Sequence, residues 1–232
     1  MLERVTVPGI QLHYALRKRH IEETARLFLR DGGAQIVVLG GGFDTLATRL
    51  AGEHPQVRIV EVDREATQQL KTRALRGREP RCAPVFLPLD LANERFAEAF
   101  AAQSRLCTSE RALFVAEGLL MYLPRASVEA LFAMIGLLTP PRSVFVFTFM
   151  ERDAHGRIAF RNQGKLVQSW LRLRGEQFAW GITREEVADF IAPSGFQLRE
   201  ISTAHDLRAR YLPNDPHLPV AVGECVCVAE RV

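Results

Sequence analysis

The sequence predicts an α/β protein built on one doubly wound, mostly parallel sheet with helices on both faces. Three observations carry that prediction. Short apolar, β-branched runs alternate with stretches of helical length, and the first such run, at 36–39, stops on three glycines. The last two runs, at 196–201 and 220–229, follow one another with no helical pattern between them. Alternation implies parallel βαβ units whose sheet is covered on both sides. A closing pair joined by a loop implies an antiparallel pair at the edge.

The elements follow in order. Ile10, Leu12, Leu16, Ile21, Ala25, Leu27 and Phe28 have helical spacing, giving one or two helices that end at Asp31-Gly32-Gly33. Residues 36–39 form the first strand. Residues 44–51 form a helix with Asp44 as its N-cap. The second strand covers 57–62. An amphipathic helix over 64–77 turns Ala66, Leu70, Ala74 and Leu75 inward. Strands at 84–89, 112–116 and 144–149 alternate with helices at 93–102 and 126–138. Residues 152–182 are polar, rich in arginine and weakly periodic. Thr183 and Glu186 have capping-box spacing and start a helix running to Ala192.

With 232 residues the chain is read as a single domain, 1–232, large enough for its own core. Its hydrophobic fraction of 47% and charged fraction of 25% are those of a folded globular protein. A net charge of +3 over this length does not announce a nucleic-acid binder. No run approaches the roughly 20 apolar residues that span a bilayer, and the first residues lack a signal-peptide core. A cytoplasmic protein without membrane or nucleic-acid partners is expected. The four cysteines, Cys82, Cys107, Cys225 and Cys227, fit neither a disulfide framework nor a metal site, and are read as buried free thiols.

The chemistry is expected along one edge of the sheet. A strand, glycines and a helix form a nucleotide-binding turn, where glycine lets backbone approach a ligand closely. In VVLGGGFDT, Gly40, Gly41 and Gly42 supply the turn, but Thr45 stands where a dinucleotide fingerprint has its third glycine. Asp44 would repel a pyrophosphate, so the turn suits a cationic or zwitterionic ligand; as a tight turn capped by Asp44 it is explained almost as well. Glu61 and Asp63 follow Gly42 by 19 and 21 residues, close to the roughly 20-residue spacing of an acid that grips ribose. Either fits, and Glu61 is preferred because Asp63 has a helix to cap. Asp90 ends the third strand, where it can accept from an adenine amine with Leu89 and Leu91 flanking the ring, or simply close a turn. Glu117-Gly118 ends the fourth strand, which adjoins the first in such folds, so Glu117 can reach a cofactor's reactive end.

These segments resemble the leucine carboxyl methyltransferase-like group of S-adenosylmethionine-dependent methyltransferases, and within it the bacterial O-methyltransferase branch. The matching pieces are VVLGGGFDTLATRL, VEVDREATQQLK, LPLDL and AEGLLMYL, in the family's order; RKRHIEE at 17–23 and FAWGITREEVADFIAPSGFQL resemble flanking family segments. The resemblance implies a Rossmann-like methyltransferase sheet and S-adenosylmethionine as cofactor. It implies that Gly40, Gly41, Gly42, Asp44 and Gly118 line the cofactor, that Glu61 or Asp63 holds ribose, and that Asp90 and Leu91 contact adenine. Glu117 would lie near the methionine portion, with Arg17 and Arg19 on its carboxylate. The sequence departs at His20, where the family has an apolar or aromatic residue, and in two Glu that replace two Asp. Residues 1–33 would form an N-terminal helical cap and 152–182 a substrate lid.

Methyl transfer depends mainly on placing acceptor and methyl group in line. No metal is required. For a general base the candidates are His20, His155 and His205, without a motif behind any of them; Tyr122 is a candidate wall of the transfer site. Phe160, Trp170, Phe178 and Trp180 suggest a partly apolar small-molecule acceptor. Arg152, Arg157, Arg161, Lys165, Arg172 and Arg174 suggest an acidic one. O-methylation of a hydroxyl or carboxyl group is the expected activity. The alternatives are a non-catalytic adenosyl-ligand binder on the same fold, which would have lost the strand-end acids, and an NAD-dependent oxidoreductase, which would need the third glycine and a Tyr-x-x-x-Lys pair.

Overall fold

The computed structural model describes residues 7–77, 82–93, 95–103, 106–162 and 178–232. One helix, not two, opens it: α1, Ile10–Arg30. Then come β1 (Gln35–Leu39), α2 (Leu46–Glu53), β2 (Arg58–Asp63), α3 (Glu65–Leu75), β3 (Val85–Pro88) and α4 (Phe96–Gln103). The second half holds β4 (Ala112–Ala116), α5 (Arg125–Leu138), β5 (Val144–Met150), the short α6 (Val187–Ile191), β6 (Phe196–Thr203), α7 (Ala204–Tyr211) and β7 (Glu224–Arg231).

All seven strands join in one sheet of order β3-β2-β1-β4-β5-β7-β6. The first five are parallel, and β7 runs antiparallel to both β5 and β6. The expected closing pair therefore lies in the sheet differently from its order in the chain: β7 inserts between β5 and β6, and β6 takes the edge. A helix also separates the two strands, where a loop was expected. That helix, α7, has a capping box in which the Thr203 hydroxyl accepts from Asp206 N–H while the Asp206 carboxylate accepts from Thr203 N–H.

Successive strand residues face opposite sides, so β1 feeds two cores. Val37 and Leu39 join one, under α5 and α6; Ile36 and Val38 join the other, under α1 and α2. In the first core the Phe132 ring meets Phe145, Phe147 and Phe190 with centroids 4.9, 5.1 and 5.4 Å away. Cys225 and Cys227 are buried there, and burial pushes both thiols up, Cys225 to about 12; Cys82 and Cys107 are only half-buried, contrary to expectation.

Three helices depart from their predicted form. α2 starts at Leu46 with Thr45 at the cap position, and Asp44 instead accepts Leu46 N–H from outside the helix. α3 turns Gln68 and Lys71 inward, while Ala66, Leu70 and Ala74 face solvent. The Thr183–Glu186 bonds form, but they close a turn and the helix begins only at Val187. Of the predicted lid, residues 163–177, including Lys165, Trp170, Arg172 and Arg174, lie outside the described residues. Trp180 packs in the core beside Phe190. Among the described residues no helix is long and apolar enough to cross a membrane.

Candidate active site

A cavity of about 270 Å³ opens over the carboxyl ends of β1 and β4. This is the point where the chain order of the strands reverses, and where open α/β sheets bind ligands. Its floor is Gly40, Gly41 and Asp44 after β1, and Glu117 and Gly118 after β4; α1 contributes Tyr14, Arg17 and Lys18, and β7 contributes Glu224. Met121, Tyr122, Phe160 and Phe178 make the remaining, apolar wall.

The glycine turn is built for proximity. Gly40 and Gly42 have φ of 63° and 53°, a left-handed conformation that glycine adopts without penalty. At Gly41 the reason is space, because a Cβ there would stand 2.6 Å from Glu61 Cδ. Gly40 N–H donates to Val62 C=O at 2.8 Å, and Gly42 N–H donates to Asp63 Oδ2 at 2.6 Å. The turn is thus pinned to the end of β2.

Arg17 holds the centre. Its Nε and Nη2 lie 2.8 and 2.7 Å from Glu117 Oε1, and its Nη1 donates to both oxygens of Glu224 at 2.8 and 2.6 Å. Its guanidinium also lies over the Tyr14 ring, 4.5 Å from the centroid. Lys18 pairs with Asp44 and reaches Glu117 at 3.2 Å. Burial pushes the Asp44 carboxyl up, but Lys18 and the Leu46 N–H outweigh it and hold it below its ordinary value. Burial acts likewise on Glu224, where Arg17 and His13 win and bring the carboxyl down to about 2. Three carboxylates against two cations give the cavity an excess of negative charge, as a cationic ligand requires.

Beside the cavity, Glu61 is buried and its carboxylate is held by Lys71 Nζ at 2.6 and 2.7 Å; the same ammonium bonds Asp44 C=O. Burial raises the Glu61 carboxyl, with Lys71 opposing. Of the two acids considered, Glu61 is thus already held by Lys71. Asp63 is half-buried at the end of β2, and it caps nothing by its side chain beyond accepting Gly42 and Arg64 N–H. Asp90 is exposed beyond β3 in a turn that accepts Ala92 N–H at 3.0 Å, while Leu91 is in the core.

Arg17, Gly40, Gly41, Asp44, Glu117, Gly118 and Tyr122 thus meet in one cavity, with Gly42, Asp63 and Asp90 along the same sheet edge. Glu61 and Leu91, both buried, do not join them, and neither do Arg19 and His20. Arg19 pairs with Glu23 and stacks 4.5 Å from the Tyr211 ring, and His20 is buried against Tyr211 and Arg210 of α7. Neither lines the cavity, nor do the exposed His155 and His205. Sequence reasoning missed Tyr14, Lys18, Lys71 and Glu224. For α1 a signal existed: His13, Arg17 and His20 fall in helical phase with Leu16 and Ile21, so polar residues occupy the buried stripe.

Solved methyltransferases share this sheet. A methyltransferase structure from Thermobifida fusca superposes with a TM-score of 0.68 over 97% of this chain and 84% of its own, at 18% identity. Magnesium protoporphyrin IX methyltransferase from Synechocystis, solved with SAH bound, gives 0.57 over 94% and 84%, at 11% identity. At such identities the likeness is one of fold. The sequence narrows this further. The leucine carboxyl methyltransferase family model matches residues 2–136, and the chain belongs to that family. A Mycolicibacterium vanbaalenii relative, assigned as an S-adenosyl-L-methionine-dependent methyltransferase, is 29% identical over 93% of this chain and 72% of its own length. A Mycolicibacterium gilvum protein with the same assignment is 29% identical over 93% and 71%. The protein is an S-adenosylmethionine-dependent methyltransferase.

Proposed function

We propose that this enzyme methylates an oxygen, carboxyl or hydroxyl, of a small and partly apolar acceptor. The observation that carries the reading is the division of the cavity, charged on the Arg17–Glu117 side and apolar on the Met121–Tyr122–Phe160–Phe178 side. The charged side fits the cofactor. Arg17 and Glu117 stand side by side as cation and anion, the complement of an α-amino acid: Glu117 takes the ammonium, Arg17 and Lys18 the carboxylate. Gly118, with φ of 60°, leaves open the space in front of Arg17 that a Cβ would occupy, 3.8 Å from Nη2. Asp63 takes the ribose hydroxyls and Asp90 the adenine amine, with the half-buried Leu89 beside the ring.

The cofactor supplies a methyl group on a positively charged sulfur, which leaves as a neutral thioether. The chain's own part is to place and to exclude. Asp44, Glu117 and Glu224 hold negative charge around the site, and the aromatic wall positions the acceptor and keeps water from competing. An acidic acceptor fits less well than a partly apolar one. Arg152 and Arg157 are paired with Glu186 and Asp153, Arg161 shares Glu151 with Arg184, and none of the three lines the cavity. Tyr14 is held protonated by burial and by Glu224, a donor rather than a base.

The experiment is an acceptor screen with a methyl-labelled cofactor, reading SAH formation and the alkali-lability of the product. A base-labile methyl ester identifies a carboxyl acceptor and a stable ether a hydroxyl. Methylation of nitrogen or sulfur, or of strongly anionic acceptors alone, would contradict the proposal.

A further inference from the structure

Glu224 has no place in the sequence signature of the site, yet it is the most deeply buried acid in it. β7 runs antiparallel, so its first residue, level with Met150 on β5, arrives at the edge where the other strands end. There its carboxylate is 1% exposed, with Arg17 Nη1 on both oxygens and His13 Nε2 at 2.8 Å. An ionised carboxylate in such a place is stabilised only by fully formed partners. His13 Nε2 is the ring nitrogen that meets Glu224, and its Nδ1 is buried with no partner among the described residues. The His13 ring is therefore committed to Glu224.

On Arg17 the effect is orientational. Glu117 takes the Nε–Nη2 edge and Glu224 takes Nη1. Held from both flanks, the planar guanidinium has its Nη1–Nη2 edge toward Gly118, where a Cβ would lie 3.8 and 4.0 Å from Nη2 and Nη1. We propose that Glu224, backed by His13, is a positioning residue that fixes the Arg17 guanidinium so that this edge receives the cofactor's α-carboxylate. The inference rests on the reading of Arg17 as the carboxylate ligand.

The test is calorimetric titration with two ligands, S-adenosylhomocysteine and 5′-methylthioadenosine. Both carry adenosine and a thioether, and only the first carries the α-amino acid end. Glu224→Gln keeps size and removes the charge. We expect it to weaken S-adenosylhomocysteine binding about tenfold to a hundredfold, the scale of a charge-assisted hydrogen bond, and to leave 5′-methylthioadenosine within about twofold. Equal loss for both ligands, or no loss for either, overturns the proposal. Should Glu224→Gln fail to fold, His13→Gln keeps the carboxylate while removing its second anchor, and must show the same selective loss at smaller size; loss shared by both ligands overturns the proposal there too. Arg17→Gln separates the two layers. If it leaves S-adenosylhomocysteine affinity intact, the carboxylate reading itself fails. If it weakens that ligand selectively and Glu224→Gln does not, only the positioning role fails.

Discussion

Replacing Lys71 by methionine removes one charge from the underside of the glycine turn and changes little in size. Lys71 is 3% exposed and Glu61 1%, with the ammonium 2.6 and 2.7 Å from the two carboxylate oxygens. Lys71→Met leaves a buried carboxylate unpaired, at a cost of about 3–5 kcal/mol. For a domain of this length the midpoint falls by roughly 6–20 °C, since each kcal/mol shifts it about 2–4 °C. The loss depends on pH. Burial already raises the Glu61 carboxyl, with Asp63 and Asp44 adding to the shift, and only Lys71 opposes it strongly. Without Lys71 the folded-state pKa climbs further above the unfolded value. A group raised in this way costs most above its folded pKa and least below, where it is protonated. Thermal unfolding at pH 8 and pH 5.5 should therefore show a larger deficit at pH 8. The double variant Glu61→Leu with Lys71→Met should recover most of the stability, because an apolar pair of similar volume is tolerated where a lone charge is not. A deficit below about 1 kcal/mol, a deficit equal at both pH values, or a double variant no better than the single would refute the reasoning.

Asp63→Asn should weaken S-adenosylhomocysteine by about tenfold or more in calorimetry, through loss of the charged acceptor for Gly42 N–H and for ribose. Gly41→Ala drives a methyl group into Glu61, so both midpoint and cofactor affinity should fall, the stability by about 1–3 kcal/mol in denaturant titration. Thr203→Ala removes the α7 capping box and should cost about 1 kcal/mol with cofactor affinity unchanged, which separates fold stability from the site. Arg157→Ala breaks only an exposed pair with Asp153, so stability should move by less than about 1 kcal/mol and the ratio of rates on acidic and neutral acceptors should stay constant.

The parallel half of the sheet was legible because its strands are apolar runs stopped by glycine or acid, and those stops lie along the edge where the cavity opens. The glycine turn, Asp63, Asp90 and Glu117 lie at strand ends, so position in the chain is enough to gather them. What was not legible depends on partners distant in sequence. α3 was read with Leu70 inward because polar residues are assumed to face water; Leu70 is 54% exposed, and Gln68 and Lys71 are buried since each meets a bonding partner on β2. α7 turns only Ala204 and Leu207 inward, too few for a helical stripe. Its signal was the spacing Thr203 to Asp206, the same kind of pattern that misplaced the start of α6. Arg19 and His20 flank the decisive Arg17 and Lys18 in sequence, and only the rotation of α1 divides them between two faces.

The ion pair of Arg17 with Glu224 joins residues 207 positions apart, and this sets the order in which the enzyme can become competent. On the ribosome the glycine turn and the parallel strands emerge early and have local partners to fold against, whereas β7 must wait for the rest of the chain before it can slide between β5 and β6. Until then Arg17 has only one of its two carboxylates, and the charged side of the cavity is incomplete. Non-local closures of this kind are slow. A chain lacking β7 would lack Glu224 as well, and Arg17 would keep Glu117 as its carboxylate partner.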